Sequence, residues 1–144
     1  MAGPVQFETV IPSQMTAGMA VQDRVIGLMQ DLQFSMRDVF AMRLSLEEAI
    51  SNAIRHGNRY AADKQVRIEC ELSELLVRVT VQDEGEGFNP ELVPDPTLEE
   101  NLERPFGRGL LLMRAYLSEC RYSDSGRCLT LVRERNSPLP IVGK

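Results

Sequence analysis

The chain has 144 residues, 16 basic and 21 acidic side chains, a net charge of −5, and 43% hydrophobic and 26% charged residues. That length fits one domain built on a single core, and the acidic balance argues against direct nucleic-acid binding, which calls for a basic stripe. No apolar run approaches the ~20 residues that cross a bilayer, and Met1–Glu8 lacks the basic start and apolar stretch of a signal peptide, so no membrane role and a cytoplasmic location are expected.

Val5, Phe7, Thr9 and Ile11 alternate with polar residues and predict a half-buried strand. Pro12-Ser13 ends it, with Ser13 the expected N-cap of a helix running to Leu32, in which Met19, Val25, Ile26, Met29 and Leu32 recur with helical rhythm. A second helix is predicted from about Ser35 to His56. Val39, Met42, Leu46, Ile50 and Ala53 form its apolar stripe, and Gly57 is the expected C′ terminator. At ~100° per residue, Glu48, Asn52 and Arg55 fall opposite that stripe, with Glu48 and Asn52 one turn apart. Lys64–Leu72 and Leu76–Val81 alternate again and form a hairpin around Ser73-Glu74, which places Asp83 at a strand end.

Residues 89–106 are polar, hold Pro90, Pro94, Pro96 and Pro105, and have no period. So long an irregular stretch inside one domain reads as a functional lid. Gly109–Leu117 is a short apolar helix, and Cys120–Ser123 and Cys128–Arg133 form a last hairpin around Ser125-Gly126. The tail 136–144 carries two prolines and is expected to fray, leaving a core of about residues 5–135 in one domain spanning 1–144. The fold class is α/β: a two-layer sandwich with a mixed, mostly antiparallel sheet covered on one face by helices. Cys70, Cys120 and Cys128 show no CxxC spacing and there is one histidine, His56, which argues for reduced thiols and against a zinc site.

Three segments carry chemistry. Asn52 can offer a hard oxygen to a Mg²⁺ already held by phosphates, and Glu48 can orient or deprotonate a nucleophile attacking a γ-phosphate; both are also ordinary residues for a solvated helix face. Asp83-Glu84-Gly85-Glu86-Gly87-Phe88 sets a carboxylate where it can accept from the amine of adenine. Its glycines would remove side chains where a flat ring must lie. Three acids would repel phosphate, so this segment is assigned the base end. Gly107-Arg108-Gly109 would feed phosphates into a helix start, with Arg104 and Arg108 as pairing cations; as a bare loop-to-helix joint it needs no ligand. His56 is read as a helix-end residue rather than a phosphoacceptor.

Glu48-Ala49-Ile50-Ser51-Asn52-Ala53-Ile54-Arg55-His56-Gly57 resembles the N box of the GHKL ATPases, the superfamily of gyrase, histidine kinases and mismatch-repair ATPases. Asp83–Phe88 resembles the adenine-binding G1 box, and Arg104-Pro105-Phe106-Gly107-Arg108-Gly109-Leu110-Leu111-Leu112-Met113 the G2 box. Within that superfamily the chain looks like the bacterial anti-sigma-factor serine kinases, over roughly Val5 to Arg133. With no DNA-gate, transducer or phosphoacceptor region in these residues, a gyrase-like or histidine-kinase role is not expected. The resemblance implies the Bergerat fold, ATP and Mg²⁺ as cofactors, Glu48 as general base, Asn52 as metal ligand and Asp83 as adenine ligand. The glycines Gly85, Gly87, Gly107 and Gly109 would line the pocket with Arg55, Phe88, Arg104, Arg108 and Leu110. It also implies a sigma factor and a STAS-like antagonist as partners, and a homodimer through the first strand. The alternative expectation is a non-catalytic ATP-binding regulatory domain of the same fold.

Overall fold

The computed structural model describes residues 4–87 and 105–137, the side chains of residues 105–110 excepted. Strand β1 (Val5–Pro12) is followed by helices α1 (Met15–Asp31) and α2 (Met36–Asn52), then a π-helical turn (Ala53–Gly57). Strands β2 (Gln65–Leu72) and β3 (Leu76–Gln82), helix α3 (Pro105–Tyr116) and strands β4 (Glu119–Ser123) and β5 (Cys128–Glu134) complete it. The five strands lie in the order β1-β2-β3-β5-β4. Every pairing is antiparallel, with Val5 opposite Leu72, Val79 opposite Leu131 and Cys120 opposite Leu131. The expected mixed sheet is therefore corrected: the β2–β3 and β4–β5 hairpins and two long connections, from β1 to β2 and from β3 to the β4–β5 hairpin, build it without a parallel pair.

Strand alternation decides which face is covered. Ile11, Val66, Ile68, Leu72, Val77, Val79, Val81 and Leu131 turn inward and are buried, as are Val25, Met29, Met42, Leu46, Ile50 and Met113 of the helices. Each buried side chain of this size contributes about 1.5–3 kcal/mol relative to exposure. The other sheet face carries Arg67–Glu8 (3.4 Å), Arg78–Glu71 (3.4 Å) and Arg121–Glu119 (3.0 Å). These exposed pairs add little stability individually but keep that face wet, so the molecule is two layers. Among the described residues the cysteines are free, and burial pushes the thiols up, Cys70 to about 12 and Cys120 to about 11, so both stay protonated and unreactive.

Several local expectations need correction. Ser13 does not cap α1; Gln14 occupies the cap position without a side-chain bond. Ser13 is buried, donating to Lys64 O (2.7 Å) and accepting from Asn58 Nδ2 (3.0 Å), so it fastens the β1–α1 corner to the segment before β2. Ser35 does cap α2, its Oγ accepting from Asp38 N at 3.1 Å. The β2–β3 connection holds three residues, Ser73 to Leu75, organised by Ser73 Oγ accepting from Leu75 N and Leu76 N. The tail begins to be held beyond residue 135, because Asn136 N donates to Asp38 and Ser137 O accepts from Arg133; residues 138–144 lie outside the described residues. Arg135 staples two distant turns, donating to Leu32 O and Glu74 O and stacking 4.0 Å over the Phe34 ring.

Candidate functional site

Helix α2 ends in a widened turn. Asn58 N donates to Ala53 O at 2.8 Å, a five-residue reach in place of the helical four. Such π turns add a residue to the helix and recur at functional sites. Here the turn brings Asn52, His56 and Gly57 to the mouth of a cavity of about 100 Å³ between the helix layer and the ends of β3 and β5. Ala49, Ala53, Val81 and Leu129 supply its apolar wall, while Asn52, Asp83, Tyr122 and Arg127 bring polar groups. A few convergent polar groups on an apolar wall are the chemical pattern of a small-ligand site.

Asp83 follows β3 directly and is held by its surroundings. Its Oδ1 accepts from Gly85 N (2.8 Å) and its backbone N donates to Arg127 O (2.9 Å). A Cβ on Gly57 would fall 2.4 Å from the Asp83 carboxylate, and one on Gly85 would fall 2.2 Å from Gly57 O. The π turn and the Asp83 loop thus touch backbone to backbone. This corrects the expected reason for Gly85: the protein's own chain, rather than a ligand ring, excludes a side chain there, and Gly85 is not among the residues facing the cavity. Gly87 does face it, at φ 80°, against Ser125 O. Gly85→Ala is expected to cost about 1–3 kcal/mol, as overpacking against an unyielding backbone does; a denaturation midpoint equal to wild type would contradict this interlock.

Asn58, which sequence reasoning missed, is the hub behind the cavity. Its Nδ2 donates to Ser13 Oγ (3.0 Å) and Gln65 O (2.9 Å), and its Oδ1 accepts from Glu84 N (2.7 Å). One buried amide therefore ties β1, β2 and the Asp83 loop to the π turn. Glu84 turns away from the cavity and accepts from Gln65 N at 2.5 Å, which leaves Asp83 and Glu86 as the acids facing inward.

Electrostatics separate the two carboxylates of interest from ordinary surface acids. Burial, then the neighbouring Glu47 charge, raises Glu48 above its usual 4.5, against the opposing charges of His56 and Arg55. Burial raises Asp83 above 3.8, opposed by the Gly85 N–H and by Arg127 and Lys64, with Asp124 adding to the rise. Burial likewise pushes the Tyr122 hydroxyl up. Asn52 lines the cavity, and its side-chain amide, though Nδ2 makes no close hydrogen bond among the described residues, interacts with the Glu48 carboxyl one turn before it and favours its ionised form. Asn52 brings an amide to the cavity wall, and one such hard oxygen is a donor type that fits a phosphate-held Mg²⁺. No group of three or more His, Cys, Asp or Glu among the described residues converges to hold an ion by itself.

The predicted site residues distribute as follows. Asn52, Asp83 and Gly87 line one cavity, and Glu48 sits half-buried one helical turn before Asn52 without being among the lining residues. Arg55 is exposed and outside the lining. Phe88, Arg104 and the 89–104 part of the lid lie outside the described residues. Gly107, Arg108, Gly109 and Leu110 belong to α3, and the side chains of Arg108 and Leu110 are likewise outside them. The helix starts at Pro105 rather than Gly109, which corrects the expected glycine turn ahead of it; proline suits a first helical position because its missing N–H would be unpaired there anyway. Beyond Asn58, sequence reasoning also missed Tyr122 and Arg127. No sequence signal links a turn arginine to a loop some forty residues upstream.

Residues 11–133 match the family described as Histidine kinase-like ATPase domain. The chain is 29% identical over 104 residues to an anti-sigma F factor from Clostridium novyi, covering 70% of this chain and 72% of that protein. It is 33% identical over 98 residues to an anti-sigma F factor from Bacillus thuringiensis, 66% of each. A crystal structure of the RsbU and RsbW domains of a Mycobacterium tuberculosis protein superposes with a TM-score of 0.63 at 18% identity, covering 94% of this chain and 33% of that one.

Proposed function

This chain belongs to the histidine kinase-like ATPase domain family, and from that premise we propose that it is an ATP- and Mg²⁺-dependent protein-serine kinase and anti-sigma factor of the cytoplasm. It phosphorylates a serine on a small STAS-like antagonist and sequesters a sigma factor. The observation that carries the reading is that Asn52 and Asp83, from separate elements, line one cavity with Glu48 a turn away. The name anti-sigma F factor, borne by relatives at 29% and 33% identity, supports the choice of partners. A homodimer through β1 fits that strand's place at an edge of the sheet.

Asp83 accepts a hydrogen bond from the exocyclic amine of adenine, with Val81 and Leu129 against the ring. Glu48 takes the proton of the serine hydroxyl as its oxygen attacks the γ-phosphorus, and the β–γ bridging bond breaks to leave ADP. Asn52 would hold the metal through its amide oxygen. When bound, Mg²⁺ supplies charge neutralisation across the phosphates.

The test is transfer of labelled γ-phosphate from ATP to the cognate antagonist. Label on a serine supports the kinase reading. ATP binding without transfer would favour a nucleotide-gated regulator, and no ATP affinity would remove both. Asp83→Asn, which swaps an acceptor for a group that can present a donor to the adenine amine, is expected to weaken ATP binding by about 1–3 kcal/mol. Unchanged affinity by titration calorimetry would take Asp83 out of base recognition.

A further inference from the structure

We propose that Arg127 is the positioning residue of this site, its guanidinium locking the Asp83–Gly87 loop against the β4–β5 turn so that the Asp83 carboxylate is aimed at the base. The inference rests on the reading of the cavity as an adenine-nucleotide site. Arg127 donates Nε to Gly85 O at 2.8 Å and Nη2 to Glu86 O at 2.9 Å, while its own carbonyl accepts from Asp83 N at 2.9 Å. It therefore grips the loop at both ends. Nη1 turns back to Asp124 O at 3.4 Å, tying the guanidinium to its own turn.

The turn is built for this approach. Asp124 (φ 51°), Ser125 (φ 53°) and Gly126 (φ 82°) are consecutively left-handed, a conformation that costs free energy for residues with side chains. It sets Ser125 O where a Cβ on Gly87 would lie 2.3 Å away, and the Arg127 guanidinium carbon 3.3 Å from the same point. A loop with glycines at positions 85 and 87 has wide backbone freedom, and recognition by one carboxylate needs a fixed geometry. Arg127 supplies the restraint through bonds that a carbonyl pair accepts from a planar fork and that a lysine could make only singly. All three of its nitrogens donate to main-chain carbonyls, and Nη1 also lies 4.0 Å from the Asp124 carboxylate, a set of partners that suits a clamp on the protein's own chain.

The experiment compares wild type, Arg127→Ala and Arg127→Lys by calorimetry with adenosine, ADP and ATP. Arg127→Ala is expected to weaken all three by the same factor, about tenfold for the loss of charge-assisted bonds. Arg127→Lys should recover part of the loss. Phosphotransfer by Arg127→Ala should show a raised KM for ATP with kcat within about twofold. Amide exchange at residues 85–87 of the ligand-free variant should quicken, a readout independent of nucleotide. Unchanged affinity with unchanged exchange would overturn the proposal. A loss growing from adenosine to ATP would instead make Arg127 a phosphate ligand, and a fall confined to kcat would place it in the chemistry; either outcome overturns it too. A wild-type chain that binds none of the three would remove the nucleotide reading itself, whatever the exchange shows.

Discussion

Glu48→Ala is expected to lower phosphotransfer about 10²–10⁴-fold, the usual contribution of a positioned general base, while leaving ATP affinity within about twofold. Glu48 stands a turn from the Asn52 amide and outside the cavity lining, so in the proposed mechanism it would act on the incoming hydroxyl and its loss should spare nucleotide binding. Retained transfer in the variant would remove it from this role. The pH dependence follows from its burial. A base works ionised, and Glu48 is raised above 4.5, so the acid limb of kcat for the wild type should lie above that value. The stability sign is the reverse. Between 4.5 and the raised folded value the native state holds a proton that the unfolded chain has released, so stability falls as pH rises through that window. Glu48→Gln is therefore expected to melt higher than wild type at pH 7, with the gain gone below 4.5. A variant that melts lower at pH 7 would count against a buried, costly carboxylate.

Asp38→Ala is expected to destabilise the fold by about 3–5 kcal/mol, the cost of stranding a buried charge. Asp38 and Arg133 are both 0% exposed and meet at 3.0 Å. The pair is fully engaged: Asp38 also accepts from Asn136 N (2.9 Å), and Arg133 donates to Tyr116 O (2.9 Å) and Ser137 O (2.5 Å). Replacing both ends with apolar groups, Asp38→Leu with Arg133→Met, should recover only part of the loss: it removes the stranded charge but leaves Asn136 N, Tyr116 O and Ser137 O without their side-chain partners. Urea denaturation reads both outcomes as shifts in midpoint at constant slope. A single variant within about 1 kcal/mol of wild type would show that water reaches the pair.

Elements with strong periodicity were legible in the residues. The alternation of Val66, Ile68, Cys70 and Leu72 and the stripe of Met42, Leu46 and Ile50 each place a core face correctly, since period alone determines which side is buried. Position within the site was less legible. Gly57 reads as a helix terminator but is needed because the Asp83 carboxylate passes within 2.4 Å of its absent Cβ; no local signal carries a contact made by a residue 26 positions away. Ser13 reads as a cap because caps favour serine, yet its hydroxyl is taken by Lys64 and Asn58. Asn58, Arg127 and Arg133 act through bonds spanning distant parts of the chain, and long-range partners leave no trace in a single sequence. Residue type and spacing, with the resemblance, made Glu48, Asn52 and Asp83 candidates; Asn52 and Asp83 line one cavity and Glu48 lies a turn before Asn52.

The wide turn at Ala53–Gly57 makes length, more than composition, the guarded property of this stretch. Deleting one codon between Asn52 and Asn58 would restore an ordinary four-residue ladder and rotate all that follows by ~100° about the axis. Gly57 would swing away from the carboxylate it accommodates, and the amide of Asn58 would lose its three attachments together. Many replacements that keep the count would spare that geometry, so a frame-preserving indel is the sharper threat to this protein than a change of letter.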